Sequence, residues 1–244
     1  MSLPVAISEV ITTKLSGLIF HWRAADLSLD PLTDQTATYA KTGATTACDD
    51  SVGTSYSAVD HQPTWHWDDG LEVTTLRMTT AGVEKLKWEM NILPCEMTVY
   101  LTFVCSALTA ASGGPFLQIG HETTYSTAPY FRIDNGSGSY SAAHNNGSAT
   151  RFVSISLSPE PSVGDGVEIL AVLEADGGVS LEVSINGGAA QTDSAGTANA
   201  LQSAWAGDYL HLGNVNGSLR TNADFRALKI AHGTRTLAQM RTAF

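Results

Sequence analysis

Apolar and polar residues alternate with a period of two along much of the second half of the chain. In Val179-Ser-Leu-Glu-Val-Ser-Ile185 a strand would turn Val179, Leu181, Val183 and Ile185 to a core and Ser180, Glu182 and Ser184 outward. The run before it, Val167-Glu-Ile-Leu-Ala-Val-Leu-Glu174, is joined to it across Asp176-Gly177-Gly178, which predicts a hairpin, and Asn186-Gly187 turns the chain again. The same period places Val99, Leu101, Phe103 and Cys105 on one face of an expected strand over 98–105. Further strands are expected at residues 17–22, 115–120, 128–134, 150–157, 209–213 and 223–230. Many short strands separated by turn signals predict an antiparallel sandwich or barrel.

The two ends of the chain follow other patterns. Thr236 and Gln239 have capping-box spacing, and Leu237, Met240 and Phe244 fall on one face of the short helix they would open. At the start, Leu3, Val5 and Ile7 alternate with no turn after them, and Val10 and Ile11 follow. Residues 1–16 are therefore expected to form an arm ahead of one sandwich domain over 17–244. Ordering an arm costs about 1–2 kcal/mol per residue, so its apolar side chains need a surface to bury against. Pro4 and the Ser/Thr content make the arm a poor core strand, which favours an intermolecular surface over the domain's own sheet edge. Between residues 23 and 62 the periodicity is weak, and one or two short edge strands are expected there.

Composition agrees with an all-β reading. Only 15% of the 244 residues are charged while 22 are glycine, which suits many turns and few long helices. Acidic residues number 24 against 13 basic ones, for a net charge of −11. A surface of that sign repels phosphate backbones, so no nucleic-acid partner is expected. No apolar run approaches the ~18 residues of a membrane span, so no membrane insertion is expected. The first residues lack the basic and apolar stretches of a secretory signal, and synthesis in a reducing cytoplasm is expected. Cys48, Cys95 and Cys105 imply no closed disulfide framework, and the last two, at the ends of one strand, would lie about 30 Å apart. They are expected to be small buried hydrophobes. Asn135, Asn146 and Asn216 open Asn-Gly-Ser sequons, read here as tight turns without glycan.

Chemistry-bearing motifs are few. There is no G-x-S-x-G elbow, no H-E-x-x-H helix and no phosphate-binding loop. His61 and His66 with Asp60, Asp68 and Asp69 form the densest group of metal-ligand types, but their odd spacing puts the two histidines on opposite faces of a strand. Trp65 and Trp67 share a face, either as core residues or as a platform for a sugar ring. Tyr125, Tyr130, Tyr140 and Asn145, with Asn146 beside it, lie in segments of small polar residues, the character of adaptable contact loops. They are the candidate glycan contacts.

Three stretches resemble the concanavalin A-like lectin/glucanase superfamily. They are the hairpin ending in Val183-Ser-Ile-Asn-Gly187, the closing strand Phe225-Arg-Ala-Leu-Lys-Ile-Ala231 after Leu210-His-Leu-Gly213, and the helix at Thr236-Leu-Ala-Gln-Met-Arg241. The resemblance implies a jelly roll of two packed antiparallel sheets. Glycosidases of that superfamily carry E-x-D-x-x-E on a strand; the nearest match here, Glu174-Ala-Asp176-Gly-Gly-Val179, has Val for the third acid and sits on a hairpin turn. Catalysis is therefore not expected. A loop-bound calcium is common in the superfamily, and Asp49-Asp50 or Asp68-Asp69 could supply ligands for Ca2+; no other cofactor is expected.

A second likeness covers Gln35-Thr-Ala-Thr-Tyr39, Val59-Asp-His-Gln-Pro-Thr-Trp-His-Trp67 and Gly70-Leu-Glu-Val73, which are similar to virion proteins of tailed bacteriophages, although Thr64 stands where that pattern has Arg. It implies a non-enzymatic structural protein on the virion surface. The leading form is a capsid decoration protein that meets the major capsid protein, and copies of itself, through Leu3, Val5, Ile7, Val10 and Ile11. The alternative is a lectin module, such as a tail adhesin, that contacts host-surface glycans.

Overall fold

The computed structural model describes residues 18–24, 64–68, 73–78, 85–89, 93–105, 114–120, 128–136, 138–195, 200–207, 209–213 and 223–242. In chain order these form β1 (Leu18–Arg23), β2 (Thr64–Asp68), β3 (Val73–Met78), β4 (Lys85–Glu89), β5 (Met97–Cys105), β6 (Gly114–Ile119) and β7 (Tyr130–Gly136). There follow β8 (Ser139–Asn145), β9 (Thr150–Ser156), β10 (Gly166–Leu173), β11 (Val179–Ile185), β12 (Gln191–Ala195), β13 (Tyr209–Gly213), β14 (Ala223–His232) and the helix α1 (Leu237–Arg241).

The strands build two antiparallel sheets. One has eight strands, in the order β12-β11-β10-β5-β14-β3-β2 with β1 also on β14; the other has six, in the order β4-β13-β6-β7-β8-β9. One edge of β14 pairs with β5 along its whole length, while the other is divided between β3 at residues 223–225 and β1 at residues 227–231. The β10–β11 hairpin and its alternation match the sequence reading, with Val179, Leu181 and Val183 in the core. At the next turn Asn186 and Gly187 have φ of 51° and 70°, which Asn and Gly tolerate better than other residues.

Aromatic rings join the two sheets. Phe20 of β1 meets Trp88 of β4 edge-on at 5.2 Å, and Phe103 of β5 lies 5.9 Å from Tyr140 of β8 and 5.8 Å from Phe225 of its own sheet. Burying each such ring stabilises the fold by about 1.5–3 kcal/mol before ordering costs. At one side the sheet edges are tied together, since the backbone N–H of Ser154 on β9 donates to Asp193 Oδ2 on β12 at 3.3 Å. Cys105 is buried and Cys95 half-buried, and neither is in a disulfide.

The short helix closes the outer face of the eight-stranded sheet. Thr236 and Gln239 form the expected capping box, and Leu237 and Met240 pack on Tyr100, Leu170 and Ala231; Phe244 lies outside the described residues. Beneath the helix Tyr100 Oη donates to Glu168 Oε1 at 2.6 Å, and Arg241 Nε donates to the same carboxylate at 3.0 Å. Burial alone would raise the Glu168 carboxyl, but the hydrogen bonds from Arg241 and Tyr100 outweigh it and hold it below its ordinary value. Lys229 is fully buried and donates to the Met240 carbonyl. Burial, helped by Arg23, brings its ammonium down to about 7.

Strands β3, β4, β8 and β12 go beyond the expected set. β12 reads Gln-Thr-Asp-Ser-Ala, an exposed edge that needs no apolar alternation. β8 reads Ser-Tyr-Ser-Ala-Ala-His-Asn, with no branched residue to mark it, yet its pairing with β7 and β9 is continuous. This corrects the placement of Tyr140 in a contact loop. Its ring is in the core at 4% exposure, because position 140 shares the inward face of the strand with Ala142.

Candidate functional site

The outer face of the six-stranded sheet carries polar side chains on every second position of β7. Phe131 and Ile133 point into the core, so Tyr130, Arg132 and Asp134 share the opposite face. Arg132 Nε donates to Asp134 Oδ2 at 2.9 Å, and its guanidinium carbon lies 5.0 Å from the centre of the Tyr130 ring. Burial raises the Asp134 carboxyl above its ordinary value against the opposing pull of Arg132. The ladder continues this row sideways, from His211 on β13 to Gln118 on β6, Arg132, Ala143 on β8 and Phe152 on β9. Gln118 and His211 are buried, whereas Phe152 is 54% exposed. Val153, Ile155 and Leu157 set the core phase of β9, and Phe152 falls on the other one. An exposed aromatic ring therefore stands on the same face as an arginine–carboxylate pair, separated from it in the ladder by a small residue.

One end of the sandwich brings together the β8–β9 connection, the β10–β11 turn and a returning segment. At the β8–β9 connection Asn145 Oδ1 accepts from Gly147 N at 2.7 Å and its Nδ2 donates to Thr150 Oγ1 at 2.8 Å. Asn146 Oδ1 holds Ser148 N at 2.9 Å, and its Nδ2 reaches the Ala200 carbonyl at 3.4 Å. The segment after Ala200 brings in Trp205, and Ala206 N donates to the Pro129 carbonyl at 3.0 Å, just ahead of β7. His144, fully buried, lies 3.2 Å from the Gly177 carbonyl of the β10–β11 turn, and its ring meets Trp205 edge-on at 6.3 Å. Burial lowers the His144 imidazole from its ordinary value, opposed by the bond to Gly177.

Of the candidate glycan contacts, Tyr130 lies in the strand expected over 128–134 and not in a contact loop. It starts β7 at 5% exposure with Arg132 against its ring, which leaves little of it to offer a ligand. Asn145 is half-buried and at the predicted turn. Tyr125, Leu3, Val5, Ile7, Val10, Ile11, Asp49, Asp50, Asp60, His61 and Asp69 lie outside the described residues, and only the backbone of β2, with Trp65, His66, Trp67 and Asp68, is described. Among the described residues no group of three or more His, Cys, Asp or Glu is placed to hold a metal. Asp176, from the nearest match to the glycosidase motif, is an exposed turn residue whose Oδ1 holds Gly178 N at 2.9 Å. Arg132, Asp134, Phe152, His144 and Trp205 were not singled out by the sequence. A phase signal existed for Phe152, which sits opposite the apolar residues of its own strand.

No protein-family model and no curated protein matches this sequence. Solved structures do. Over 85% of this chain and 29% of the other, it superposes on full-length tailspike protein 2 from Escherichia coli O157:H7 bacteriophage CAB120, with a TM-score of 0.58 and 13% identity. The likeness is one of fold. A bacteriophage tailspike protein 2 enzymatically active domain gives a TM-score of 0.57 at 15% identity over 82% of this chain and 31% of that one. The binding domain of botulinum neurotoxin serotype D gives 0.55 at 9% identity over 92% and 50%. The chain thus spans under a third of the length of the tailspike structure and half that of the neurotoxin domain.

Proposed function

We propose that this chain is a non-catalytic, glycan-binding β-sandwich module of a tailed-phage particle. The observation that carries the reading is Phe152, an exposed ring on the same sheet face as the Arg132–Asp134 pair. A sugar ring stacks its C–H face on an aromatic side chain and takes hydrogen bonds at its hydroxyls from groups such as these. The tailspike fold likeness and the stretch similar to phage virion proteins support the particle context. The position of Glu174 and Asp176 on a turn supports a role without catalysis. Capsid decoration, the other form of a virion role, draws its support from the phage-like stretch and none from this face.

A glycan array with the purified chain, followed by calorimetry on the sugars retained, tests the reading. Fragments of bacterial surface polysaccharide are expected to bind. Phe152→Ala should weaken them about tenfold while the melting temperature stays within about two degrees, since the ring is mostly in water. Retention of no glycan at high protein concentration would overturn the binding role, and release of reducing sugar would overturn its non-catalytic part.

A further inference from the structure

Four Asn-Gly pairs occur in the chain, at Asn135, Asn146, Asn186 and Asn216. Such a pair carries its own reaction. The backbone nitrogen of the glycine can attack the side-chain carbonyl carbon of the asparagine, and glycine, lacking a Cβ, leaves that approach open. In a folded chain the outcome depends on how each pair is held. Asn216 lies outside the described residues.

At Asn135 and Asn186 the fold opposes the reaction. Asn135 pairs with Gly114 on one side and Tyr140 on the other, which fixes its backbone within the sheet. The Ser139 hydroxyl lies 2.6 Å from where a Cβ on Gly136 would stand, so the glycine is crowded as well. Asn186 is clamped at both ends of its carboxamide: Oδ1 accepts from Gly166 N at 2.8 Å, and Nδ2 donates to Asp165 Oδ1 at 2.7 Å. That Nδ2 is the group that would have to leave. The bond from Asn186 holds the Asp165 carboxyl below its ordinary value, and a new carboxylate at 186 would face it with like charge.

Asn146 is held in the opposite sense. Its Oδ1 accepts from two backbone N–H groups, Ser148 at 2.9 Å and Ala149 at 3.0 Å. These are the donors and distances of an oxyanion hole, aimed at the oxygen that gains negative charge when its carbon is attacked. The leaving nitrogen is weakly held, by one bond of 3.4 Å from Nδ2 to the Ala200 carbonyl. The attacking nitrogen, Gly147 N, donates to the side-chain Oδ1 of Asn145 at 2.7 Å, so no ladder bond has to break to free it. Gly147 is exposed, with nothing within 4 Å of the position a Cβ would take, and water reaches the turn.

We infer that Asn146-Gly147 is a site of spontaneous deamidation, a covalent change that the β8–β9 turn promotes in the folded chain. Gly147 N bonds to Asn146 Cγ, the Cγ–Nδ2 bond breaks, and the hydrogen of Gly147 N leaves with that nitrogen as ammonia. Water then opens the cyclic imide at either of its carbonyls and gives aspartate or isoaspartate. Nothing is oxidised or reduced. The product carries one more negative charge. It also replaces the donor to the Ala200 carbonyl by an acceptor, which unties the turn from the segment that brings in Trp205.

The test incubates the full chain at pH 7.5, folded and in urea, and follows each Asn-Gly peptide by mass spectrometry with the aspartate and isoaspartate products separated. Unfolding puts the pairs in equivalent surroundings, so the ratio of folded to unfolded rates reads what the fold does at each one. At Asn146 the ratio is expected at or above unity, and at Asn135 and Asn186 at least about tenfold below it. Asn146→Asp, which carries the new charge and keeps the turn, should speed hydrogen exchange at the Ala206 amide bonded to the Pro129 carbonyl. Slower conversion of Asn146 in the folded chain than in urea, or equal conversion of the described pairs when folded, would overturn the inference. An Ala206 amide unchanged in Asn146→Asp would overturn the untying of the segment.

Discussion

Under the C-terminal helix, Glu168 receives hydrogen bonds from Tyr100 and Arg241, and the buried Lys229 reaches the Met240 carbonyl. At the β8–β9 end of the other sheet, Arg151, His144 and Trp205 each keep a buried nitrogen without a partner among the described residues. Both regions take polar atoms out of water; the first pairs Glu168 within the chain, while the second leaves three nitrogens unpaired among the described residues. A compensated network reads as structure, because breaking any member strands the rest. The contrast separates a face that holds the helix down from an end whose buried nitrogens have no partner among the described residues.

Met240→Ala strikes hardest at the compensated face. Met240 is fully buried against Tyr100, Leu170 and Ala231, so its truncation should cost about 2–4 kcal/mol in denaturant unfolding and release the helix, with glycan binding kept. A large loss of binding with little loss of stability would erase the distinction between the two regions. Glu168→Ala should cost less, about 1–2 kcal/mol, because Arg241 and the carboxylate are partly in water and screened. Urea midpoints for Glu168→Ala and the double variant Glu168→Ala/Arg241→Ala would narrow the comparison further. The double variant should be no less stable than the single one if the pair acts as a unit.

A smaller effect is expected from acid at His144. Burial holds the His144 imidazole below its ordinary value, so as pH falls through the range where the unfolded histidine protonates, the unfolded chain takes up a proton that the folded one resists. Stability at this residue is therefore full at neutral pH and declines on acidification. Unfolding at pH 7.5 and pH 6, above the carboxylate range, should show a drop in the wild-type chain that is reduced in His144→Gln. An equal drop in both proteins would assign the pH response elsewhere.

Some of this was legible along the chain. The alternation of β11, the continuous apolar run of β10 and the Asn186–Gly187 turn define a hairpin by local stereochemistry, and the Thr236–Gln239 box defines the helix start in the same way. β8 was not legible. Small residues suffice there because the neighbouring strands supply the bulk, and the position of Tyr140 in the core follows only from pairing with β7 and β9. Phe152 and Arg151 stand between these cases. Their phase in β9, one opposite to the apolar residues and one among them, is a local property that the sequence contains.

What an inward arginine means is not local. His144 faces Arg151 across a turn, but Gly177 comes from another sheet and Trp205 from a segment more distant still, and their placement leaves three nitrogens unmatched among the described residues. Which strands alternate, where the chain turns, and that a charge lies in a core phase all follow from the residues in order, because period and turn chemistry depend on near neighbours. Which polar groups find partners follows only from the folded arrangement, because hydrogen bonding over a few ångströms depends on segments brought together from far along the chain.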